Sequence, residues 1–422
     1  VAGNSIVTGF RPAYVMFKRT DTPGFNWNII DNKRGDGYLS ANTINQEDSD
    51  GAIDMLDFIS NGFVIKQTNN YINANGGTYI FMAFAEENVQ PQPVLANSFN
   101  TVLYTGNGGT QSITGVGFQP DLVWTKGRTV AYDHGIQDSV RGVNSLLYTS
   151  LAQQETITTI ATQSFDSDGF TYGSNNKGNA SGTNYVAWCW KASNDSTINQ
   201  EGSITSIVSA NPAAGFSIVS YTGSGSSQTM GHGLSDAPKV IIIKNRSGAN
   251  SWPVYFNGIT ANNQLLYLNQ TIAVATNPSQ TVWQTPTNTT IGGGTANDIY
   301  GSGNNYIAYC FAEVAGFSKF GSYDGNTSSP TVIDCGFEPA FVMIKSTNFV
   351  QGWYMFDNKR GNTSGAASPA ILFANDPATE YNINNSALYM TFSATGFQPA
   401  TALSGVNGTN RSFIYMAFAN QF

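Results

Sequence analysis

Charge is scarce in this sequence. Asp, Glu, Lys and Arg make up 11% of its 422 residues, less than half of the roughly 25% of an ordinary soluble domain. Helices with solvent faces of Glu and Lys are therefore not expected, and 44 glycines with abundant Asn, Ser and Thr must keep the surface wet. The basic side is the scarcer one, 19 residues against 27 acidic, for a net charge of −8. No basic stripe can hold a phosphate backbone, so nucleic acid is not an expected partner. Long apolar runs are missing too: stretches such as Val240 to Ile243 are strand-sized, and membrane insertion is not expected. Three cysteines, Cys189, Cys310 and Cys335, are too few for a disulfide framework and lack metal-type spacing, so they read as buried thiols. Only His134 and His232 are present, and they cannot be spaced as a ligand pair. Val1 is not an initiator and no signal peptide follows it, so the chain is expected to be cut from something longer.

What the sequence does have is a 41% hydrophobic and 13% aromatic content, enough for packed cores, and a phrase that recurs. Gly9-Phe10-Arg11-Pro12, Gly117-Phe118-Gln119-Pro120 and Gly336-Phe337-Glu338-Pro339 are copies, and Gly233-Leu234 with Pro238 is a looser one. Six residues after each Pro stands a lysine, Lys18, Lys126, Lys244 and Lys345, with Val15, Val123, Ile241 and Val342 at plus three. About twelve residues later comes Asp-x-x-Arg-Gly, at Asp31, Asp138 and Asp357, where the third copy has only Phe256-Asn257-Gly258. Phe-x-x-x-Gly-Phe follows at Phe58, Phe165 and Phe392. Each copy closes on an aromatic strand starting at Tyr79, Tyr185, Tyr306 or Phe413, a period of about 105 residues with one longer copy. Such a unit is domain-sized rather than solenoid-sized.

Runs of Val, Ile, Thr, Tyr and Phe stand between Gly, Asn, Asp and Pro clusters, and no convincing 3.6-residue period appears. The expected fold is all-β: a tandem array of four antiparallel β-sandwich domains of jelly-roll or lectin-like type, with a barrel as the rival shape. The expected boundaries are 1–90, 97–195, 214–314 (degenerate motifs) and 315–422, with linkers at Glu86 to Ala96 and Ser193 to Gly215. Copies two to four open with a strand, seen in Phe99 to Tyr104, Phe216 to Tyr221 and the drifted Phe320 to Tyr323. Copy one has no room for it. That strand is expected upstream of Val1, or another segment or chain fills its place, because an open sheet edge invites pairing. Gly62, Gly169 and Gly396 are expected to supply positive φ in hairpin turns.

The set Gly-Phe-x-Pro-x-x-Val-x-x-Lys, Asp-x-x-Arg-Gly, Phe-x-Ser-Asp-Gly-Phe and Tyr-Val-Ala-Trp-x-Trp is fullest in Gly117 to Lys126, Asp138 to Gly142, Phe165 to Phe170 and Tyr185 to Ala192. It resembles an uncharacterised tandem repeat domain of bacteriophage structural proteins, of the marine phage and cyanophage type. The resemblance implies a virion component on the exterior, tail or capsid surface: a tail fibre, receptor-binding protein or capsid decoration. It implies no reaction and offers no functional residues to carry over. The expected partners are other virion proteins, further copies of itself as a homo-oligomer, and a host-surface glycan.

Chemistry-bearing residues were weighed against structural roles. Asp-x-x-Arg-Gly could grip a sugar or carboxylate, but a strand-end turn held by an Asp–Arg pair, with Gly at positive φ, is favoured. The repeated lysine is expected to snorkel over a sheet surface. His134 stands where other copies have Trp27, Trp252 and Trp353, as an aromatic replacement. A Ser-His-Asp triad has no supporting motif. Asp166-Ser167-Asp168-Gly169 and Asp48-Ser49-Asp50-Gly51 look like the start of a calcium loop, but other copies lack the carboxylates and no Glu closes either loop. Asp133 with Asp138, or Asp166 with Asp168, could serve as a glycosidase pair, a signal of low specificity. No catalytic, cofactor-binding or metal-ligating set is assigned, and no enzyme is expected. A carbohydrate-binding module and a tailspike-like polysaccharide depolymerase are the alternatives.

Overall fold

The computed structural model describes residues 4–8, 12–34, 37–47, 55–59, 62–85, 98–327, 331–361, 370–382, 390–400 and 403–419. Gly9 to Arg11, Gly35, Asp48 to Gly51 and the expected linker at Glu86 to Ala96 lie outside the described residues. The chain is all-β and divides into two compact units, Val1–Val94 and Leu95–Phe422.

Repeat two shows the plan most fully. Its main sheet runs, in spatial order, Thr156–Ile157, Ser145–Tyr148, Gly135–Asp138, Leu122–Gly127, Asn184–Trp190 and Phe99–Thr105. Every described pairing in it is antiparallel. The lysine strand (Leu122–Gly127) and the opening strand (Phe99–Thr105) thus flank the closing strand (Asn184–Trp190). A small sheet of Thr162–Asp166, Gly169–Tyr172 and Gln111–Thr114 forms the second layer. Between the layers lie Val102, Ile113, Val123, Phe170, Ala187 and Cys189. Side chains alternate along a strand, so Val186, Trp188 and Trp190 face the other way.

Repeat four keeps this plan around Ser318–Asp324, Ser412–Ala419 and Pro339–Ser346. Repeat three keeps it around Phe216–Thr222, Asn305–Phe311 and Val240–Asn245, but its second layer is the pair Gln228–Gly231 and Thr290–Gly293. That lost strand accompanies the lost Phe-x-x-x-Gly-Phe. The segment read as a linker at Ser193 to Gly215 is not one: Thr197–Asn199 and Ser206–Asn211 are strands that widen the sheet of repeat three. Val208 alternates inward there and is buried in that repeat's core.

The expected positive φ is found at two of the three turn glycines. Gly62 and Gly169 have φ of +154° and +152°, but Gly396 is not among the positive-φ residues. What the three share is close approach: a Cβ would come within 1.9 Å of the carbonyl oxygen of Ile6, Ile113 or Ile333 on the neighbouring strand. Only glycine lets the backbones approach that far.

Repeat one differs at one edge. Its main sheet is Leu39–Ser40, Asn28–Asp31, Pro12–Arg19 and Tyr79–Ala85, so the closing strand is the sheet edge. In repeats two to four an opening-strand Tyr stacks on the first aromatic of the closing strand, Tyr104 on Tyr185, Tyr221 on Tyr306 and Tyr323 on Phe413, each pair 5.2 Å apart. Beside Tyr79 there is instead a cavity of about 470 Å³ lined by Ile6, Phe17, Phe63, Ile65 and Phe81.

Candidate functional site: a ring of contacts between repeats

The outward faces of the closing strands of repeats two to four meet in one core. Val186, Trp188 and Trp190, Ile307, Tyr309 and Phe311, and Ile414, Met416 and Phe418 occupy equivalent registers and share a single buried cluster. At its centre three equivalent rings touch pairwise: Trp190 to Phe311 at 6.4 Å, Trp190 to Phe418 at 5.6 Å and Phe311 to Phe418 at 5.7 Å. The three repeats are therefore arranged about a pseudo-three-fold axis, each supplying one sheet face. Burying a ring of this size is worth about 1.5–3 kcal/mol.

The recurring polar residues ring that axis. Lys126, Lys244 and Lys345 are fully buried, not spread over a surface as expected. Each donates to the same backbone position on the next repeat. Lys126 Nζ reaches Pro377 O (2.9 Å), Lys345 Nζ reaches Thr271 O (3.3 Å) and Lys244 Nζ reaches Ala152 O (3.0 Å). The direction runs from two to four, four to three and three to two, which closes the ring. Burial, opposed in part by Asp133 for Lys126 and by Asp298 for Lys244, lowers the three ammonium groups to about 8.

The aromatic residue at the start of the next strand follows the same circuit. Trp252 Nε1 donates to Tyr148 O (2.9 Å) and Trp353 Nε1 to the equivalent Tyr267 O (2.9 Å). His134 takes the third place as the aromatic replacement the sequence suggested. It stacks on Trp188 and accepts from Trp124 Nε1 through Nδ1. Its Nε2 faces the backbone of Phe373 and Asp376 but makes no full hydrogen bond, because imidazole is shorter than indole. Burial first, then the Lys126 charge, push its pKa well down, so it is neutral.

Asp-x-x-Arg-Gly is the turn expected, with more attached. Arg141 Nε lies 2.5 Å from Asp138 and Arg360 Nε 2.6 Å from Asp357, all four side chains fully buried, with Gly142 and Gly361 at positive φ. The same carboxylate oxygen, Oδ2, then takes a second donor from another repeat's closing strand. Tyr309 OH donates to Asp138 (2.7 Å) and Trp188 Nε1 to Asp357 (3.0 Å). The third closing strand has Met416, which has no such donor, and the third turn has Phe256 at the aspartate's register and Ile259 at the arginine's place.

Two carboxylates complete the ring. Glu155 bridges Arg141 and Arg246 of repeat three, and Glu380 bridges Arg360 and Arg128 of repeat two. Burial would raise both acids, but the hydrogen bonds and charges of their arginines outweigh it and hold them low. At each junction the backbone bonds as well: Glu155 N to Arg246 O, Glu380 N to Arg128 O, and at the third junction Val274 N to Thr347 O. Glu opposite Arg twice and Val opposite Thr once is a matched exchange. Neither these pairs nor the donors Tyr309 and Trp188 were picked out from sequence. The signal was available in Arg128, Arg246 and Thr347, each two residues beyond its lysine.

The remaining candidates have structural partners. Asp133 holds Ser150 and Lys177. Asp166 accepts from Thr171, and Asp168 accepts from the N–H groups of Gly115 and Gly117, which caps a turn rather than facing an open loop. His232 accepts from Leu234 N and faces Thr287 O. The three cysteines are free and buried, and burial pushes their thiols up, Cys335 to about 12. Among the described residues no His, Cys, Asp or Glu cluster could hold a metal ion.

A family model described as a domain of unknown function, DUF7483, matches residues 1–88 and 95–421. The chain belongs to the DUF7483 family. The break in the match falls at the boundary between the two compact units of this DUF7483 chain. No curated protein matches it.

Proposed function

We propose that this DUF7483 chain is a non-enzymatic structural and attachment protein of a bacteriophage virion, in a tail fibre, receptor-binding or capsid decoration role. The observation that carries the reading is where the recurring residues are used: lysine, aspartate, arginine and closing aromatics all bind one repeat to the next. Motifs retained for a reaction would converge on a cleft, whereas these converge on junctions between repeats. The resemblance of the motif set to phage structural repeats supplies the setting. A low-charge, rigid β-body suits broad contact with other virion proteins. Exposed rings such as Phe349, at 43%, and Tyr381, at 56%, would suit weak contact with a host glycan. Gold-labelled antibody against the chain, viewed on intact particles from its source, tests the setting. Label at tail tips supports attachment and label over the shell supports decoration. Particles without label refute the virion reading and leave a free carbohydrate-binding module, which a glycan array would test.

A further inference from the structure

Repeat one carries the same assembly face as repeats two to four, and among its described residues that face is exposed. In register with Val186, Trp188 and Trp190 stand Ile80, Met82 and Phe84. The first set is at most 3% exposed, whereas Ile80, Met82 and Phe84 are 48%, 44% and 55% exposed. A contiguous apolar strip on a sheet face marks an interaction surface. Its chemistry is that of the faces already packed on one another in the same chain.

The polar ring is also half-made in repeat one. Lys18 Nζ donates to Phe25 O and lies over the Trp27 ring, as Lys244 lies over Trp252. Lys126, Lys244 and Lys345 each have a further carbonyl on the next repeat, but Lys18 has no further bond among the described residues. Trp27 Nε1, the counterpart of the Trp252 and Trp353 donors, has no partner among the described residues either. The acceptors those groups would need are equally present. By strand register Ser40 is the counterpart of Tyr148 and Tyr267, whose carbonyls take the tryptophan bonds. Four residues on, Ile44 is the counterpart of Ala152, Thr271 and Pro377, and it is fully exposed at 103%.

The geometry points to three chains joining through repeat one, each supplying the sheet face that repeats two, three and four supply to one another. Phe84 of three copies forms the central triangle. Lys18 of one copy reaches the Ile44 carbonyl of the next, and Trp27 the Ser40 carbonyl. The ring follows the internal precedent: each of repeats two to four donates to one neighbour and accepts from the other, and that circuit closes after three. The occupant of the open face is therefore another copy of this chain. This inference does not rest on the virion setting and stands or falls without it.

Native mass spectrometry and light scattering of the full chain test it over a micromolar concentration range. The expected mass is three times the 45.2 kDa of one chain, and a monomer, a dimer or any other assembly overturns the inference. Met82→Asp and Phe84→Asp change exposed side chains, so the fold is retained, as circular dichroism would verify. Each is expected to weaken association at least about 30-fold, the loss of one hot-spot contact. Tyr381→Asp, an equally exposed ring in repeat four, is expected to leave the trimer intact. A trimer that survives both Met82→Asp and Phe84→Asp, or that Tyr381→Asp dissolves instead, refutes the assignment of this face.

Discussion

The closing strands of repeats one and two have nearly the same design and opposite surroundings. Tyr79–Ala85 is a sheet edge with one face in water, while Asn184–Trp190 lies between two strands with both faces covered. The cover on its outer face is not a separate layer but the same strand of two other repeats. A strand with apolar residues at every position is thus instructed twice: alternate side chains fold the repeat, and the others join it to its siblings. The Asp–Arg turn shows the same split. In repeat two it is fully buried, and in repeat one Arg34 and Asp31 are 21% and 24% exposed.

The sharpest way to break the comparison is at the axis. Trp190→Ala should lower the stability of the Leu95–Phe422 unit by about 3–5 kcal/mol at any protein concentration, as for a large aromatic removed from a core. Phe84→Ala should cost less than about 1 kcal/mol in dilute solution and more only where chains associate. Denaturant unfolding at two concentrations distinguishes them. Next comes the turn. Asp138→Ala removes the fully buried partner of Arg141 and the acceptor of Tyr309, leaving Arg141 only Glu155, a loss of about 3–5 kcal/mol, whereas Asp31→Ala at the partly exposed copy should cost at most about 1 kcal/mol. Equal losses at the two sites would show that burial at the junction is not what gives the pair its weight.

A pH titration tests the buried lysine. Lys126 titrates near 8 in the folded chain because burial disfavours its charge, against 10.4 or so when unfolded. Between those values the unfolded state binds more protons, so stability from this residue rises with pH, by at most about 1.4 kcal/mol per pH unit. Below about pH 8 both states are protonated and its contribution is flat. The wild type minus Lys126→Met difference should follow that course. A smaller loss than at the turn is expected at Tyr309→Phe, about 1.5 kcal/mol for one hydrogen bond to a charged acceptor. Met416→Leu at the equivalent place, which donates to nothing, should be within about 1 kcal/mol of neutral.

Much of this was legible before any coordinates. Strand-sized apolar runs and the spacing of lysine, aspartate and closing strand announced an all-β repeat, and the Asp–Arg turn was read correctly as structural. The lysine was misplaced because the groups that receive it on the next repeat are uncharged. Its partners are carbonyls at Ala152, Thr271 and Pro377, and a backbone carbonyl has no sequence signature. The strands at Thr197–Asn199 and Ser206–Asn211 were missed because Pro212 and nearby small residues read as a linker. The ring itself depends on closure among repeats far apart in sequence, and only the matched exchange of Arg128 and Arg246 for Thr347 hinted at it.

A particle-averaged electron cryomicroscopy reconstruction of the full chain, with no symmetry imposed, tests most directly whether these closing faces exist to pack on one another. The expected result is a three-chain particle with three repeat-one sheets about one axis, Phe84 at its centre, and a second, pseudo-symmetric ring in every Leu95–Phe422 unit. A particle of one chain, with Ile80, Met82 and Phe84 facing solvent, would contradict it.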